Sequence, residues 1–326
     1  MASEPKTLQQ AIVYFSVPQN CVDYLVARRW PKGVVCPTCG STKVHYQPKH
    51  LRWQCASKHP KRQFTVKVGT IFEDSPIGLD KWLTAAWMIT NCKNGNSSWE
   101  LHRTVGVTQK TAWFMGHRIR LAMQDDLTGG KLGGEIEVDE TFIGGKARNM
   151  HKFDRRRKNL KGGGSAGKAI VLGILEREGK VRATVIPDRT KQVMQDNIRP
   201  HVVQGSQIFS DEHGGFWRMD DEYVHSVVNH AEAYVEGNVH TNGLENFWSL
   251  LKRSIGGTYV SVEPFHLFRY VDEQAFRFNN CKGMNDGERF SYVIRKIVGK
   301  RLTYAELTGK SDPATTQANS TEIRPN

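Results

Sequence analysis

The stretch Glu135-Ile136-Glu137-Val138-Asp139-Glu140-Thr141-Phe142-Ile143-Gly144-Gly145 constrains this chain more than any other. Ile136 and Val138 alternate with Glu137 and Asp139, which is the period of a strand with one buried face. Gly144 and Gly145 then break it. A carboxylate on a rigid strand near the edge of a core is well placed to hold a hard cation. The plainer reading is a surface strand that is simply acidic, and the residues downstream decide between the two.

Residues 168–175 and 180–187 read as two further strands, joined as a hairpin at Glu178-Gly179. Residues 190–199 read as a helix that Pro200 ends. Residues 208–211 form another short strand with Asp211 at its C-terminal end. In 240–253, Leu244, Phe247, Trp248 and Leu251 make an apolar stripe, while Glu245, Ser249 and Lys252 fall on a different face. From 264 to 278, Phe265, Phe268, Val271, Ala275 and Phe278 recur at helical spacing, so this segment is expected to pack on the sheet.

Strands, a helix, a strand and an acidic helix in that order describe an α/β fold of RNase-H-like type, a mixed sheet flanked by helices. Such a fold brings Asp139, Asp211 and Glu245 together. Two-metal phosphoryl transfer needs such a group of carboxylates, with one ion activating the attacking oxygen and the other stabilising the leaving one. Mg prefers hard oxygen ligands and keeps several waters, so few carboxylates suffice. Glu140 and Glu212 neighbour the proposed ligands in sequence and are expected to point away as structural residues. Glu137 shares a face with Asp139 and is expected to pair with a Lys or Arg if it does not bind metal. His230 and His240 read as structural polar residues.

The chain has 326 residues, enough for two or three domains, and its 38% hydrophobic content marks it as globular. A formal net charge of +13 favours a polyanionic partner, most simply nucleic acid. The purest apolar run, residues 169–175, is far short of a membrane span, and the first ten residues carry no signal-peptide core. A cytoplasmic protein with no membrane partner is expected.

Ahead of the acidic strand, residues 1–30 read as a helical entry. The next segment, 31–72, contains Cys36-Pro37-Thr38-Cys39-Gly40 and then Cys55. A C-x-x-C knuckle in a reducing compartment suggests metal rather than a disulfide. Tetrahedral zinc takes four N or S ligands. Cys36, Cys39 and Cys55 supply three and His59 is the expected fourth, with His45 and His50 in reserve. So small a segment buries little core, which makes a metal its main source of stability. Residues 73–127 read as helices. Ser98 is the expected N-cap of one, Gly106 makes a turn, and Thr108 caps the next, from Gln109 to Met123. Leu101, Val107, Ala112 and Ile119 form the shared core of a helix-turn-helix. Thr108, Gln109, Lys110 and Thr111 then open the recognition helix, with Lys110, Arg118 and Arg120 near phosphates.

Residues 125–130 read as a linker and 146–168 as a flexible basic arm. Gly162 to Lys168 spells G-x-x-x-x-G-K, but Ala169 stands where a P-loop needs Ser or Thr, and a strand follows where it needs a helix. The catalytic domain is expected over 131–305, and the polar segment 306–326 is expected to be disordered.

Several of these motifs together resemble one family. They are the ribbon with Arg62-Gln63-Phe64-Thr65-Val66-Lys67-Val68-Gly69-Thr70-Ile71-Phe72-Glu73, Gly106-Val107-Thr108-Gln109-Lys110-Thr111-Ala112, and Val138-Asp139-Glu140-Thr141-Phe142-Ile143-Gly144-Gly145. Ser210-Asp211-Glu212 and His240-Thr241-Asn242-Gly243-Leu244-Glu245-Asn246-Phe247-Trp248 complete the set. The chain is similar, from about residue 10 to about 305, to insertion-sequence transposases of the DDE type, in particular the ISXO-like group with an N-terminal zinc ribbon. The resemblance implies binding of terminal inverted repeats and target DNA, Mg- or Mn-dependent cleavage and strand transfer, a structural zinc, and a homo-oligomeric active complex on the nucleoid. It puts Asp139, Asp211 and Glu245 in the acidic-triad positions, and Lys252 in that of a basic residue contacting DNA near the cut. Asn242, one turn before Glu245, is the other candidate for the third position; the charge of Glu245 and its spacing to Lys252 favour Glu245. Two other classes share these motifs: a zinc-ribbon and helix-turn-helix regulator with an inactive catalytic domain, and a nuclease that cuts without joining.

Overall fold

The computed structural model describes residues 4–124, 130–145, 167–211, 222–228 and 241–310, together with 153 and 156. The expectations for linker residues 125–129, for most of the basic arm, for Glu212, His230 and His240, and for the tail from 311 onward lie outside the described residues. At Asp211 only the backbone is described.

In chain order, α1 (Leu8–Phe15) and α2 (Pro18–Arg29) precede β1 (Val44–Gln47), β2 (Arg52–Cys55) and β3 (Gln63–Phe64). Then come α3 (Leu79–Asn91), α4 (Ser98–Val105) and α5 (Gln109–Met123). The second half has β4 (Glu135–Ile143), β5 (Ala169–Glu176), β6 (Val181–Ile186), α6 (Lys191–Ile198), β7 (Gln207–Asp211), β8 (Val224–Val228), α7 (Asn242–Arg253), α8 (Leu267–Asn280), α9 (Asp286–Arg295) and α10 (Tyr304–Leu307). The chain divides into two compact units, one of residues 1–92, 96–123 and 284–326, the other of residues 93–95 and 124–283.

The first unit holds the small antiparallel sheet β1-β2-β3 and a helical body. In that body Phe15, Tyr24, Trp87 and Phe290 gather with ring centroids 4.9 to 5.8 Å apart, joining α1, α2, α3 and α9. The residues after 284, expected with the catalytic domain, therefore return to the N-terminal unit. The Ile71 N–H donates to the Ile297 carbonyl at 3.1 Å and Gly299 to Gly69 at 2.9 Å, tying the returning chain down. The start of the expected disordered tail is ordered: α10 is closed by a capping box between Thr303 and Glu306.

The second unit is a five-stranded mixed sheet of order β6-β5-β4-β7-β8. β4, β5 and β6 pair antiparallel, while β7 joins β4 and β8 joins β7 in parallel. This is the RNase-H-like arrangement expected from the element order, extended by β8. Alternation along β5 explains the layering. Leu172 and Ile174 face a core with Ile136, Val138, Ile208 and the α6 residues Met194 and Ile198. Val171 and Leu175 face the opposite core, built with Leu244, Phe247, Trp248 and Leu251 of α7 and with Leu267 and Val271 of α8. Both faces of the sheet are thus covered, which is why β5 reads as a nearly continuous apolar run. Of the stripe expected to pack on the sheet, Val271 is buried and Ala275 and Phe278 pack against the same core, but Phe265 and Phe268 are exposed, and Leu267 and Tyr270 turn inward.

Candidate functional site

The ribbon brings Cys36, Cys39, Cys55 and His59 together, with one ligand atom from each lying within 4.8 Å of the others. The knuckle forms because the Gly40 N–H donates to the Cys36 carbonyl at 2.8 Å, with Gly40 at a positive φ of 71°. Tetrahedral zinc–sulfur bonds of about 2.3 Å separate neighbouring ligand atoms by about 3.7 Å. Cys39 Sγ and Cys55 Sγ are 3.7 Å apart, and Cys36 Sγ and His59 Nε2 are 3.5 Å apart. The donor set and its spacing fit zinc, and His59, not His45 or His50, completes it. Burial pushes the Cys55 thiol up, but its hydrogen bond with His59 and others from Ser57 and Cys39 outweigh that and hold it at about 6. The same contact with Cys55 raises the His59 imidazole.

The helix pair α4 and α5 forms as the spacing predicts, with one shift. Ser97, not Ser98, is the N-cap: it accepts the Glu100 N–H at 3.2 Å while the Glu100 carboxylate accepts the Ser97 N–H at 2.6 Å. Gly106 ends α4 at a φ of 62°, and Thr108 Oγ1 accepts the Thr111 N–H at 3.2 Å at the start of α5. Thr108 and Lys110 are exposed; Gln109 and Thr111 are half-buried. The Lys110 ammonium lies 4.6 Å from the centre of the Tyr304 ring. Arg118 is not a surface cation. It is 5% exposed, and its guanidinium donates to the carbonyls of Ile71, Glu73 and Leu302 at 3.0, 2.8 and 2.9 Å. It braces the unit, and the expectation that it contacts phosphate is corrected on that ground. Arg120 is buried as well. On the ribbon, the Lys67 ammonium donates to the carbonyls of Ser75 and Ile77, so it too acts inward.

In the second unit, Asp139 lies on β4 with its side chain half-buried. Its Oδ1 accepts the Glu140 N–H and its Oδ2 accepts the indole N–H of Trp248, each at 2.8 Å. Glu137 is almost fully buried, accepts the Leu244 N–H at 3.0 Å and pairs with Arg177 at 3.2 Å. A carboxylate at a helix N-terminus meets unpaired N–H groups and the positive end of the helix dipole. Glu137 thus anchors the first turn of α7, and Trp248 anchors the next turn on Asp139. Glu140 turns aside to Arg189 at 2.8 Å, as the strand period predicts.

Two glycines make this approach possible. Gly173 is the cross-strand partner of Asp139, and a Cβ there would lie 2.7 Å from the Trp248 ring and 2.9 Å from Leu244. A Cβ on Gly243 would lie 2.3 Å from Leu175 and 2.8 Å from the Glu137 carboxylate. Neither role was read from the sequence, although a lone glycine inside an apolar strand is a signal of close approach.

Glu245 and Lys252 are exposed on α7, as is Asn242 at its start. β7 runs parallel to β4 with Phe209 level with Glu137. Asp211, its last residue, stands two positions beyond Phe209, as Asp139 stands two beyond Glu137. The pairing of the two strands ends at Glu137 and Phe209, and Asp139 and Asp211 each follow that last pair by two residues.

Among the described residues no helix is long and apolar enough to cross a membrane. Residues 131–279 match the ISXO2-like transposase domain, and residues 19–57 match a transposase zinc-ribbon domain, ending just before His59. The chain is also similar to an uncharacterized protein in the transposable element ISH50 of Halobacterium salinarum, at 28% identity over 251 residues, which cover 73% of this chain and 83% of that protein. The chain thus carries, in the expected order, a match to a transposase zinc ribbon and a match to the ISXO2-like transposase domain.

Proposed function

We propose that this chain is a transposase that cleaves and rejoins DNA at the ends of an insertion sequence through a DDE site of Asp139, Asp211 and Glu245. The observation that carries this reading is the anchoring of α7 on β4: Glu137 holds the helix start and Asp139 itself holds Trp248. That supports an exposed Glu245 near Asp139, beside the strand that ends in Asp211. Asp139 and Glu245 fit a hard cation in donor chemistry, since each offers carboxylate oxygens that are not fully buried. Two Mg ions, or Mn, bound there would supply an activated oxygen nucleophile and stabilise the leaving oxygen.

The chain's own residues do the rest. Asp139, Asp211 and Glu245 hold the ions, with Asn242 as the alternative third ligand. Lys252, seven residues after Glu245, contacts the DNA backbone near the cut. Thr108, Gln109, Lys110 and Thr111 enter the major groove of the terminal repeats, with the ribbon's Lys43, Lys49, Lys58 and Lys61 on adjacent backbone. The active complex is a homo-oligomer working on the nucleoid in the cytoplasm. The zinc is structural and keeps the ribbon folded.

The test uses full-length protein, Mg and DNA carrying the element's own ends. Asp139→Asn keeps the side-chain shape and removes the charge. It should abolish cutting and joining while DNA retention stays at the parent level. Cutting by Asp139→Asn at the parent rate would overturn the proposal, and a parent enzyme that cuts without ever joining would reassign it to a nuclease.

A further inference from the structure

We infer that Trp248 is a positioning residue for Asp139, fixing its carboxylate for a divalent cation through the indole N–H. The inference rests on the proposed role of Asp139 as a metal ligand.

Trp248 is 4% exposed, and its ring lies within the α7 side of the core. Packing alone needs no nitrogen there, because a phenylalanine fills an apolar slot without a polar atom to satisfy. A buried indole N–H needs an acceptor. Here the acceptor is Asp139 Oδ2, at 2.8 Å. A hydrogen bond to a charged oxygen is roughly twice as strong as one between neutral groups.

The surroundings are cut to fit this contact. Gly173, directly across from Asp139 on β5, leaves no space for a Cβ beneath the indole, at 2.7 Å from two ring carbons. Gly243 lets the Glu137 carboxylate reach the first turn of α7, which sets where Trp248 falls along the helix. The second oxygen, Asp139 Oδ1, accepts the Glu140 N–H at 2.8 Å. Both oxygens are therefore oriented by the fold. Hydrogen bonds that orient a metal ligand typically change metal affinity by about 10–100-fold when removed.

The experiment titrates Mn(II) into full-length, zinc-loaded protein and counts free Mn(II) by electron paramagnetic resonance, so no turnover is needed. Trp248→Phe removes the N–H. A second variant, with benzothienylalanine at 248, keeps the bicyclic shape and removes only the donor, which covers the case in which phenylalanine disturbs the fold. Both should weaken Mn(II) binding by about 10-fold, with the metal-free melting temperature of the benzothienylalanine protein at the parent value. Asp139→Asn should lose the site altogether. If benzothienylalanine leaves the Mn(II) affinity unchanged while Asp139→Asn abolishes it, Trp248 is packing only and this inference is overturned alone. If Asp139→Asn binds Mn(II) like the parent, the proposed metal site fails and the inference fails with it.

Discussion

The buried carboxylate of Glu137 accepts the backbone N–H of Leu244 at 3.0 Å, across 107 positions of sequence. The same carboxylate pairs with Arg177, which also reaches Glu135 at 3.0 Å and stacks over Phe209. One acidic side chain thus joins β4, the segment after β5 and the start of α7. Glu137→Ala leaves the nearly buried Arg177 short of a partner and the helix start uncapped. Removing one partner of a buried ion pair costs about 3–5 kcal/mol. Urea unfolding of the variant should show a loss of that size. Glu137→Gln keeps an acceptor for Leu244 and should cost clearly less; equal losses would mean that the charge carries the whole anchor and the retained acceptor none of it.

Gly173 supplies a sharper test of the same packing. In Gly173→Ala the added methyl would sit 2.7 Å from the Trp248 ring, between a strand and a helix that cannot both yield. Overpacking of this kind costs about 1–3 kcal/mol. The melting temperature should fall, and a variant as stable as the parent would mean that α7 is free to lift from the sheet.

For the ribbon, metal analysis should return one zinc per chain, lost in Cys36→Ser and in His59→Ala. His45→Ala and His50→Ala should keep it, since both side chains are exposed and outside the cluster. Chelation should lower the melting temperature of the parent, because the small sheet β1-β2-β3 has few buried side chains of its own. Full zinc in His59→Ala would move the fourth ligand elsewhere.

Much of this was legible in the residues. The alternation at 135–142 named the faces of β4, and the stripe of Leu244, Phe247, Trp248 and Leu251 named the buried side of α7, because both signals are local. The knuckle and His59 were readable for the same reason. What escaped depends on distant partners. β8 was not identified as a strand, since five residues with a mixed pattern gain strand character only beside β7. The return of 284–310 to the first unit is set by contacts such as Trp87 with Phe290, far apart in sequence. Arg118 was assigned to solvent by its charge, yet three carbonyls, those of Ile71 and Glu73 in one segment and of Leu302 in another, satisfy it in the interior. Helical spacing alone also could not tell which aromatics of 264–278 turn inward, and Phe265 and Phe268 turned out.

Lys110 and Arg118 should accordingly separate binding from stability. Lys110→Ala removes an exposed charge that lies over the Tyr304 ring. It should weaken binding to terminal-repeat DNA, reduce the salt slope by about one released counterion, and leave the melting temperature near the parent value. Arg118→Ala abandons three buried carbonyls and should lower the melting temperature first. Gel-shift titrations over a salt series, run beside thermal melts, read both effects. Equal loss of binding with unchanged melting in Arg118→Ala would restore it as a DNA contact.

The third metal ligand is decided on the first turn of α7. Asn242 and Glu245 are both exposed there, three positions apart and so on neighbouring parts of one helix face. A carboxylate holds Mg through charge as well as through a lone pair, whereas an amide oxygen offers only a dipole. Glu245 also stands seven residues before Lys252, two turns along the helix, which would align the proposed metal ligand with the proposed phosphate contact. Glu245→Gln is therefore expected to lower strand transfer in Mg by at least about 100-fold, and Asn242→Ala by far less. Lys252→Ala should weaken cleavage and binding of pre-cut ends together, because it acts on DNA and not on metal. Near-normal strand transfer in Glu245→Gln, with a collapse in Asn242→Ala, would hand the third position to Asn242 and leave Glu245 as a solvent-facing residue beside the site.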